Sequence, residues 1–419
     1  MIKKISIIDN VIKRIQTNIR QCSGGKLKGF LDRETGVVNV LQALPLGVGD
    51  INRYQKVGTW GINLKQAPAF PKPDEIFINF DPVSTRLKTY QVLSQGLKEI
   101  ADAEIIRVST DPFQRVQGLL DTKILFQKKV VIVGLGSVGS LVALELAKSS
   151  VGRFLLYDPD TLAVSNVCRH VGDLRDMGKY KTTIIAERIY GRNPQAQVEM
   201  FEKNILQIDE DELKHDWGEA DLIIASTDSQ QATLLLNQLS LDLNIPILWI
   251  GLYERASKGH IIYSIPGATP CLACVLPSLA EIENLTPKED RVIDYSSVKD
   301  ITQIKAEPGL GTDIGFVSMA GAKIALALLL RNDPTSALKE ILPHGKTLLI
   351  IANTAGSIFP ETKAFQTAWV ETAVNNDCEW CQRDRQYQER YGKGPAQLQS
   401  AVQCMVDGLP SFRKGEEGL

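Results

Sequence analysis

The sequence predicts an α/β protein built on a Rossmann-like, doubly wound, mainly parallel sheet, with a small N-terminal α/β domain before it and a cysteine-knotted C-terminal part after it. Three observations carry that prediction. An apolar run at 130–133 opens into Gly134-x-Gly136-x-x-Gly139 and a helical spacing over 140–148. Apolar strand candidates then alternate with helical patterns as far as residue 250. Four of the seven cysteines fall into two C-x-x-C pairs, Cys271 with Cys274 and Cys378 with Cys381. The glycines permit a tight turn and close approach of backbone to phosphate, and the following helix aims its positive end at an anion. Leu155-Leu156-Tyr157 delivers Asp158 about 20 residues further on, where an acid accepts from ribose hydroxyls. The stretch therefore reads as a nucleotide site.

In chain order, residues 1–110 precede the nucleotide fold as a small accessory or docking unit. A helical pattern covers 10–21, and apolar residues at 28–31 and 37–44 flank Arg33-Glu34-Thr35-Gly36, which predicts a hairpin. Pro68, Pro71 and Pro73 make a loop before a strand over 75–80. From residue 129 the elements alternate: strand 130–133, helix 140–148, strand 155–157, helix 179–190, strand 197–201, strand 222–226, helix 230–241, strand 246–250. That alternation predicts a parallel sheet. After Gly251 come a strand over 259–264, the first cysteine pair, a polar loop over 281–311, a helix ending at Leu330, and a strand over 347–352. The expected domains are 1–110, 111–382 and 383–419.

Composition narrows the partners. The 419 residues allow two or three domains. A net charge of −2 gives no general attraction to nucleic acid, so none is expected as a partner. Residues 1–9 are basic but lack the apolar core of a signal peptide. The longest apolar run, 316–330, is short for hydrocarbon and contains Lys323, so it reads as a buried helix and no membrane is expected. The expected setting is the cytoplasm, where paired cysteines favour metal over disulfides.

Alone, the glycine pattern serves dehydrogenases, flavoproteins and adenylating enzymes on similar folds. The residues after Asp160 separate them. Asn166-Val167-Cys168-Arg169 and Gly178-Lys179-Tyr180-Lys181 supply cations that suit the triphosphate of ATP better than NAD. Taken together, Gly134-x-Gly136-x-x-Gly139, Asp158-x-Asp160, Asn166-x-x-Arg169, Gly178-x-x-Lys181, Ser226-Thr227-Asp228 and the two cysteine pairs resemble the ubiquitin-activating and sulfur-carrier-activating superfamily of ThiF and MoeB type. The resemblance covers residues 115–381.

It implies attack of a C-terminal carboxylate on the α-phosphorus of ATP, giving an acyl-adenylate and pyrophosphate, with the enzyme placing cations where charge develops. The implied cofactors are ATP, Mg2+ and a structural Zn2+. Gly134, Gly136 and Gly139 would cradle phosphate and Asp158 would bind ribose. Asn166 and Arg169 would face the phosphates from one turn, and Lys181 would neutralise phosphate as the leaving group departs. Asp228 would hold magnesium, the alternative being a cap on the helix at 230. Asp160 is open between a magnesium-side role and a turn, and Lys179 reads as solvated. Arg115 is the candidate for an arginine that reaches the triphosphate of a partner protomer, with Arg107 nearby. Its spacing is shorter than the family's, and action in trans would require a homodimer.

Cys271, Cys274, Cys378 and Cys381 form a set typical of structural zinc, which would clamp the C-terminal segment to the core. Relatives that pass cargo onward carry it as a cysteine thioester. The usual neighbourhood, 275–314, holds no cysteine, a departure from the pattern. Cys404, after Gly392-Lys393-Gly394-Pro395, is the candidate, against a cysteine that merely packs. Cys168 has no attacking geometry around it and Cys22 reads as core. The opening of residues 1–110 resembles a JAB-type isopeptidase, but that metal site needs a histidine pair, and His170, His215, His260 and His344 all lie outside it. An inactive relative, a degenerate adenylation half and a peptide-docking module stay open.

The functional expectation is adenylation of the C-terminus of a small ubiquitin-like or sulfur-carrier protein, then a thioester on Cys404 for transfer to a conjugating enzyme, as in bacterial ubiquitin-like systems of antiphage defence operons. The alternatives are a sulfur-carrier adenylyltransferase, a microcin-type enzyme whose residues 1–110 clamp a peptide, and an NAD-binding Rossmann protein or silent scaffold.

Overall fold

A computed structural model describes residues 112–285 and 308–381 continuously, with residues 2, 4–8, 11–12, 15, 24–32, 36–45, 55–62, 75–81, 87–93, 96–100 and 104–108. The chain divides into two compact units, Met1–Gln114 and Arg115–Leu419. Each has its own eight-stranded sheet.

The first unit contains β1 (Lys4–Ile8), β2 (Gly24–Asp32), β3 (Val37–Pro45), β4 (Gln55–Gly61), β5 (Ile76–Phe80), β6 (Leu87–Leu93), β7 (Gly96–Glu99) and β8 (Glu104–Val108). Their order is β7-β6-β5-β4-β2-β3-β1-β8. β2 and β3 form the expected hairpin, antiparallel with Asp32 opposite Val37, and β5 is the expected strand. β1 runs parallel to both β3 and β8, and β4 to β5, so the unit holds more strand than its helix-then-hairpin opening suggests. Side chains alternate between faces with period two. Ile76, Ile78 and Phe80 join Ile5, Ile7, Val38 and Trp60 in one core, while Phe77 packs with Tyr90 and Val92 in another. Val11, Ile12 and Ile15 are helical and cover the first core. The rest of the expected 10–21 helix and the three loop prolines lie outside the described residues.

The second unit contains α1 (Thr122–Gln127), β9 (Lys129–Val133), α2 (Ser137–Lys148), β10 (Arg153–Tyr157), α3 (Lys181–Tyr190), β11 (Gln197–Phe201), α4 (Glu210–Trp217), β12 (Leu222–Ala225), α5 (Gln230–Leu243), β13 (Ile247–Leu252), β14 (Lys258–Ser264), α6 (Leu272–Leu285), α7 (Gly311–Leu329), β15 (Leu348–Ala352) and β16 (Thr367–Val370). The sheet order is β11-β10-β9-β12-β13-β14-β15-β16. It is parallel from β11 to β13 and antiparallel from β13 to β16. β9 and β12 are buried throughout, as parallel strands covered on both faces must be. The chain leaves β9 for β10 on one side and reaches β12 on the other. That order places a crevice at the carboxyl ends of β9, β10 and β12, where ligands bind in such sheets.

Five elements of the second unit depart from the sequence pattern, among them α1 and α6, which it did not register as helices. α4 buries only Leu213 and Trp217, too short a stripe to register as a helix, and β16 is a half-exposed edge strand. α7 begins at Gly311, five residues before the expected run, because glycines and a threonine open it. With the residues before the apolar run this helix is long and apolar enough to cross a membrane by length and composition, but 61% of its 18-residue window is buried inside the protein, in keeping with the expected buried helix.

Candidate functional site

The glycine turn is built by two close approaches and one opening. Gly134 has φ +87°, a left-handed conformation that favours glycine, and its N–H donates to Tyr157 O at 2.9 Å. A Cβ on Gly139 would lie 2.0 Å from Gly134 O, so the first turn of α2 packs directly onto the loop. Ser226, just after β12, donates from Oγ to Gly134 O at 2.7 Å. Gly136 differs: a Cβ there would meet nothing within 4 Å. Two substitutions separate these roles. Gly139→Ala is expected to cost about 1–3 kcal/mol of stability by overpacking. Gly136→Ala is expected to cost at most about 1 kcal/mol, the scale of a helix-cap change, yet to weaken nucleotide binding far more than it weakens the fold. Thermal melts beside nucleotide titrations read both.

β10 carries the acid. Its end is fixed by Tyr157, which stacks on Phe201 at 4.3 Å and accepts from Trp217 Nε1 at 2.9 Å. Asp158 follows, buried, with Oδ2 accepting from Leu135 N–H at 2.6 Å and Oδ1 from Asp160 N–H at 2.9 Å. Burial raises its pKa, against the lowering effect of Lys181 and of those two N–H groups. The expected ribose acid therefore also braces the glycine turn.

Residues 160–162 pair back with 178–181: Leu162 N–H donates to Lys179 O, Gly178 N–H to Leu162 O, and Lys181 N–H to Asp160 O, at 2.9, 3.0 and 2.9 Å. This brings Lys181 to the acids, with Nζ 2.7 Å from Asp160 Oδ2 and 3.7 Å from Asp158 Oδ1. Asp160 pairs with Lys181 here, and its N–H closes an Asx-type turn on Asp158 Oδ1. Lys179 is not merely solvated, because it pairs with Asp176 at 2.9 Å and with Glu187 at 3.4 Å. Buried Asp176 also holds Arg188 of α3, which pins the returning loop onto that helix.

Lys181 is the first residue of α3, where a cation opposes the helix dipole. Lysine and helix end repel each other and both attract an anion. Three other helix starts in the unit carry side-chain caps: Asp121 caps α1, Asp209 caps α4 and Ser229 caps α5. The starts of α2, α3 and α7, at Gly136, Tyr180 and Leu310, have no side-chain cap. α7 begins beside Arg169, since a Cβ on Gly309 would lie 3.7 Å from Arg169 Nη1 and one on Gly311 3.1 Å from Cys168 O. Helix starts without side-chain caps and the cations Lys181 and Arg169 thus lie near the carboxyl ends of the parallel strands, although the Lys181 N–H is itself bonded to Asp160 O.

Asn166 accepts from Ala163 N–H at 3.1 Å through Oδ1, closing the short turn that presents Arg169. Asp228, just beyond β12, is exposed and makes no hydrogen bond or ion pair among the described residues. The cap on α5 belongs to Ser229, whose Oγ accepts from Ala232 N–H at 3.3 Å. That removes the capping alternative for Asp228. Arg115 is exposed and Cys168 donates only to Ser165 O. Cys22 and Cys404 and the side chain of Arg107 lie outside the described residues.

A second cluster joins the cysteines. Cys271 Sγ lies 3.9 Å from Cys274 Sγ and 3.7 Å from Cys378 Sγ, and Cys274 Sγ lies 3.6 Å from Cys381 Sγ. Four thiolates about 2.3 Å from a tetrahedral zinc would sit about 3.8 Å apart, so the donor set fits that ion. Asn375 N–H points at Cys274 Sγ at 3.4 Å, the kind of supporting bond metal thiolates take. Leu234 and Trp380 close the site with Cys271 and Cys378.

Sequence reasoning passed over His170 and Asp176. Only the place of His170 directly after Arg169 could have flagged it, and a lone acid in a polar loop flags nothing. A model described as the ThiF family matches residues 109–361. Ubiquitin-like modifier-activating enzyme 5 of Dictyostelium discoideum is 31% identical over 204 residues, 44% of this chain and 53% of that protein. The Caenorhabditis elegans protein of the same name is 25% identical over 312 residues, 70% of this chain and 67% of that protein. The chain spans about half the length of most of the curated relatives it matches. Among solved structures, E. coli MccB with ATP matches at 23% identity and a TM-score of 0.45, covering 62% of this chain and 68% of that one. With a family model matched over more than half its length, the chain belongs to the ThiF family.

Proposed function

We propose that the protein uses ATP to adenylate the C-terminal carboxylate of a small ubiquitin-like protein, and then carries it as a thioester on Cys404 for a conjugating enzyme. The observation that supports this most is that three helix starts without side-chain caps lie with Lys181 and Arg169 near the carboxyl ends of the parallel strands. A dinucleotide pyrophosphate asks for one helix N-terminus and a ribose acid. A triphosphate under attack brings more negative charge and uses more of this surface. A carboxylate oxygen attacks the α-phosphorus, the bond to the bridging oxygen breaks, and pyrophosphate leaves with the electron pair. Lys181 and Arg169 stabilise the charge that builds up, and Asp158 orients the ribose. Asp228, a carboxylate at the sheet edge with no partner among the described residues, would hold Mg2+, which screens the phosphate oxygens when bound. Arg115 would act across a homodimer. The implied setting is a bacterial ubiquitin-like conjugation system in the cytoplasm.

Relatives that bear the name ubiquitin-like modifier-activating enzyme support a ubiquitin-like substrate. The lack of a cysteine in 275–314 favours a second reading, an enzyme that stops at the adenylate of a sulfur carrier. ATP–pyrophosphate exchange with candidate small proteins tests the shared step, and non-reducing electrophoresis separates the two readings. Asp228→Ala should abolish exchange and leave the melting curve within the ±0.5 kcal/mol or so of an exposed substitution. Full exchange in that variant removes Asp228 from the site. Cys404→Ala should keep exchange and lose a thiol-sensitive adduct, and an adduct that persists assigns the thioester to another cysteine.

A further inference from the structure

The glycine turn is tied to one side chain that the proposed chemistry leaves unused. His170 is 8% exposed, its Nδ1 accepts from Gly172 N–H at 2.8 Å, and its Nε2 lies 2.9 Å from Leu135 O. A ring nitrogen that accepts carries no proton, so the neutral ring keeps its proton on Nε2 and donates to Leu135 O. Burial lowers the His170 pKa, and the charges of Lys181 and Arg188 push the same way, against the Leu135 bond and Asp176. The ring stays neutral in that tautomer. The N–H of the same Leu135 goes to Asp158, so the residue is held from both sides.

The next peptide inherits the constraint. Leu135 C=O and Gly136 N–H belong to one planar trans unit and point in opposite directions. His170 draws the carbonyl inward, which turns the Gly136 N–H outward. That N–H takes no hydrogen bond among the described residues, and the space beside Gly136 is open for 4 Å. From this geometry we infer that His170 is a positioning residue that orients the Leu135–Gly136 peptide and presents the Gly136 N–H to a nucleotide phosphate. The inference rests on the nucleotide-binding reading above.

The pattern to test is specific to donor and acceptor placement. The amide of glutamine offers a donor and an acceptor spaced much as the two ring nitrogens are, whereas phenylalanine fills the volume and offers neither. Calorimetry on the full chain would compare Mg–ATP with adenosine, which lacks phosphate. His170→Phe should lose about tenfold or more in ATP affinity, the worth of one hydrogen bond to a charged group, with adenosine binding unchanged. His170→Gln should bind ATP close to wild type. Equal ATP affinity in His170→Phe would overturn the inference, and so would an equal loss for ATP and adenosine, which is what a packing role produces. Nitrogen-15 spectra of the wild-type ring, assigned by the signal missing in His170→Gln, should show the Nε2–H tautomer, and the Nδ1–H tautomer would overturn the inference without any variant. Wild-type protein that binds no ATP would instead remove the nucleotide reading and this inference with it.

Discussion

Lys181→Ala should cut ATP–pyrophosphate exchange by about 100-fold or more, the scale on which a preorganised charge-stabilising group acts, in a protein that still folds. The side chain lies at the first position of α3, between Asp158 and Asp160 at the end of β10. Its contacts there are with charged groups, so the loss falls on chemistry. One effect on stability is also expected, and its sign is fixed. Burial already raises the pKa of Asp158 above the ordinary carboxylate value, and Lys181 is the largest influence lowering it. Without the lysine the native pKa rises further, so native protein binds a proton that the unfolded chain has released. Stability then falls with rising pH between the ordinary carboxylate value and the raised native one. The melting temperatures of variant and wild type should differ most above the raised pKa of Asp158 and converge as pH falls through it. Unchanged exchange would take Lys181 out of the mechanism, and a gap independent of pH would show that Asp158 and Lys181 are not coupled in solution.

How far the sequence carried this picture depends on the physical range of each signal. β9, β12 and the Gly134–Gly139 turn were legible because buried parallel strands are continuous apolar runs and close backbone approach admits only glycine. The cysteine pairs were legible because two thiolates three apart point at one ion. The first unit was read less well, since β1 pairs in parallel with β3 and β8 across long sequence separations that local patterns do not encode. The ion pairs of Asp160 and Lys179 were not legible for a similar reason. Their partners, Lys181 and Asp176, are set by the back-pairing of 160–162 with 178–181, a tertiary event. His170 was invisible because a single histidine has no period, and its role depends on Leu135, thirty-five positions away. Asp228 was ambiguous in sequence, and the Oγ of its neighbour Ser229 settled which residue caps α5.

Removing metal from the four-cysteine site should lower stability steeply while leaving the adenylation groups in place. In zinc-finger peptides, binding worth about 10–16 kcal/mol appears as folding free energy. Here the ion would join Cys271 and Cys274 at the start of α6 to Cys378 and Cys381, more than a hundred residues later. The tie closes the segment after β16 onto α5 through Leu234 and Trp380. Without it, four sulfurs lie within 4.8 Å of one another, where ionised thiols would repel. Cys271, bonded to Cys274 and Cys378, is driven far above an ordinary thiol pKa, while Cys378, accepting from Cys271, is driven far below it. A bound cation would take all four as thiolates. Chelation, or Cys271→Ser, is therefore expected to release one equivalent of zinc per chain and to lower the melting temperature by tens of degrees at most and several degrees at least, at about 2–4 °C per kcal/mol for a domain of this size. Cys168→Ser, at an exposed thiol bonded only to Ser165 O, is the control that should change neither. Pyrophosphate exchange measured well below the lowered melting temperature should persist, because Lys181, Arg169 and Asp228 are not among the residues packed around the sulfurs. Exchange lost in step with zinc while the fold remains intact would instead make the ion part of the chemistry, and a protein that binds no metal would leave the cysteines as an apolar clasp.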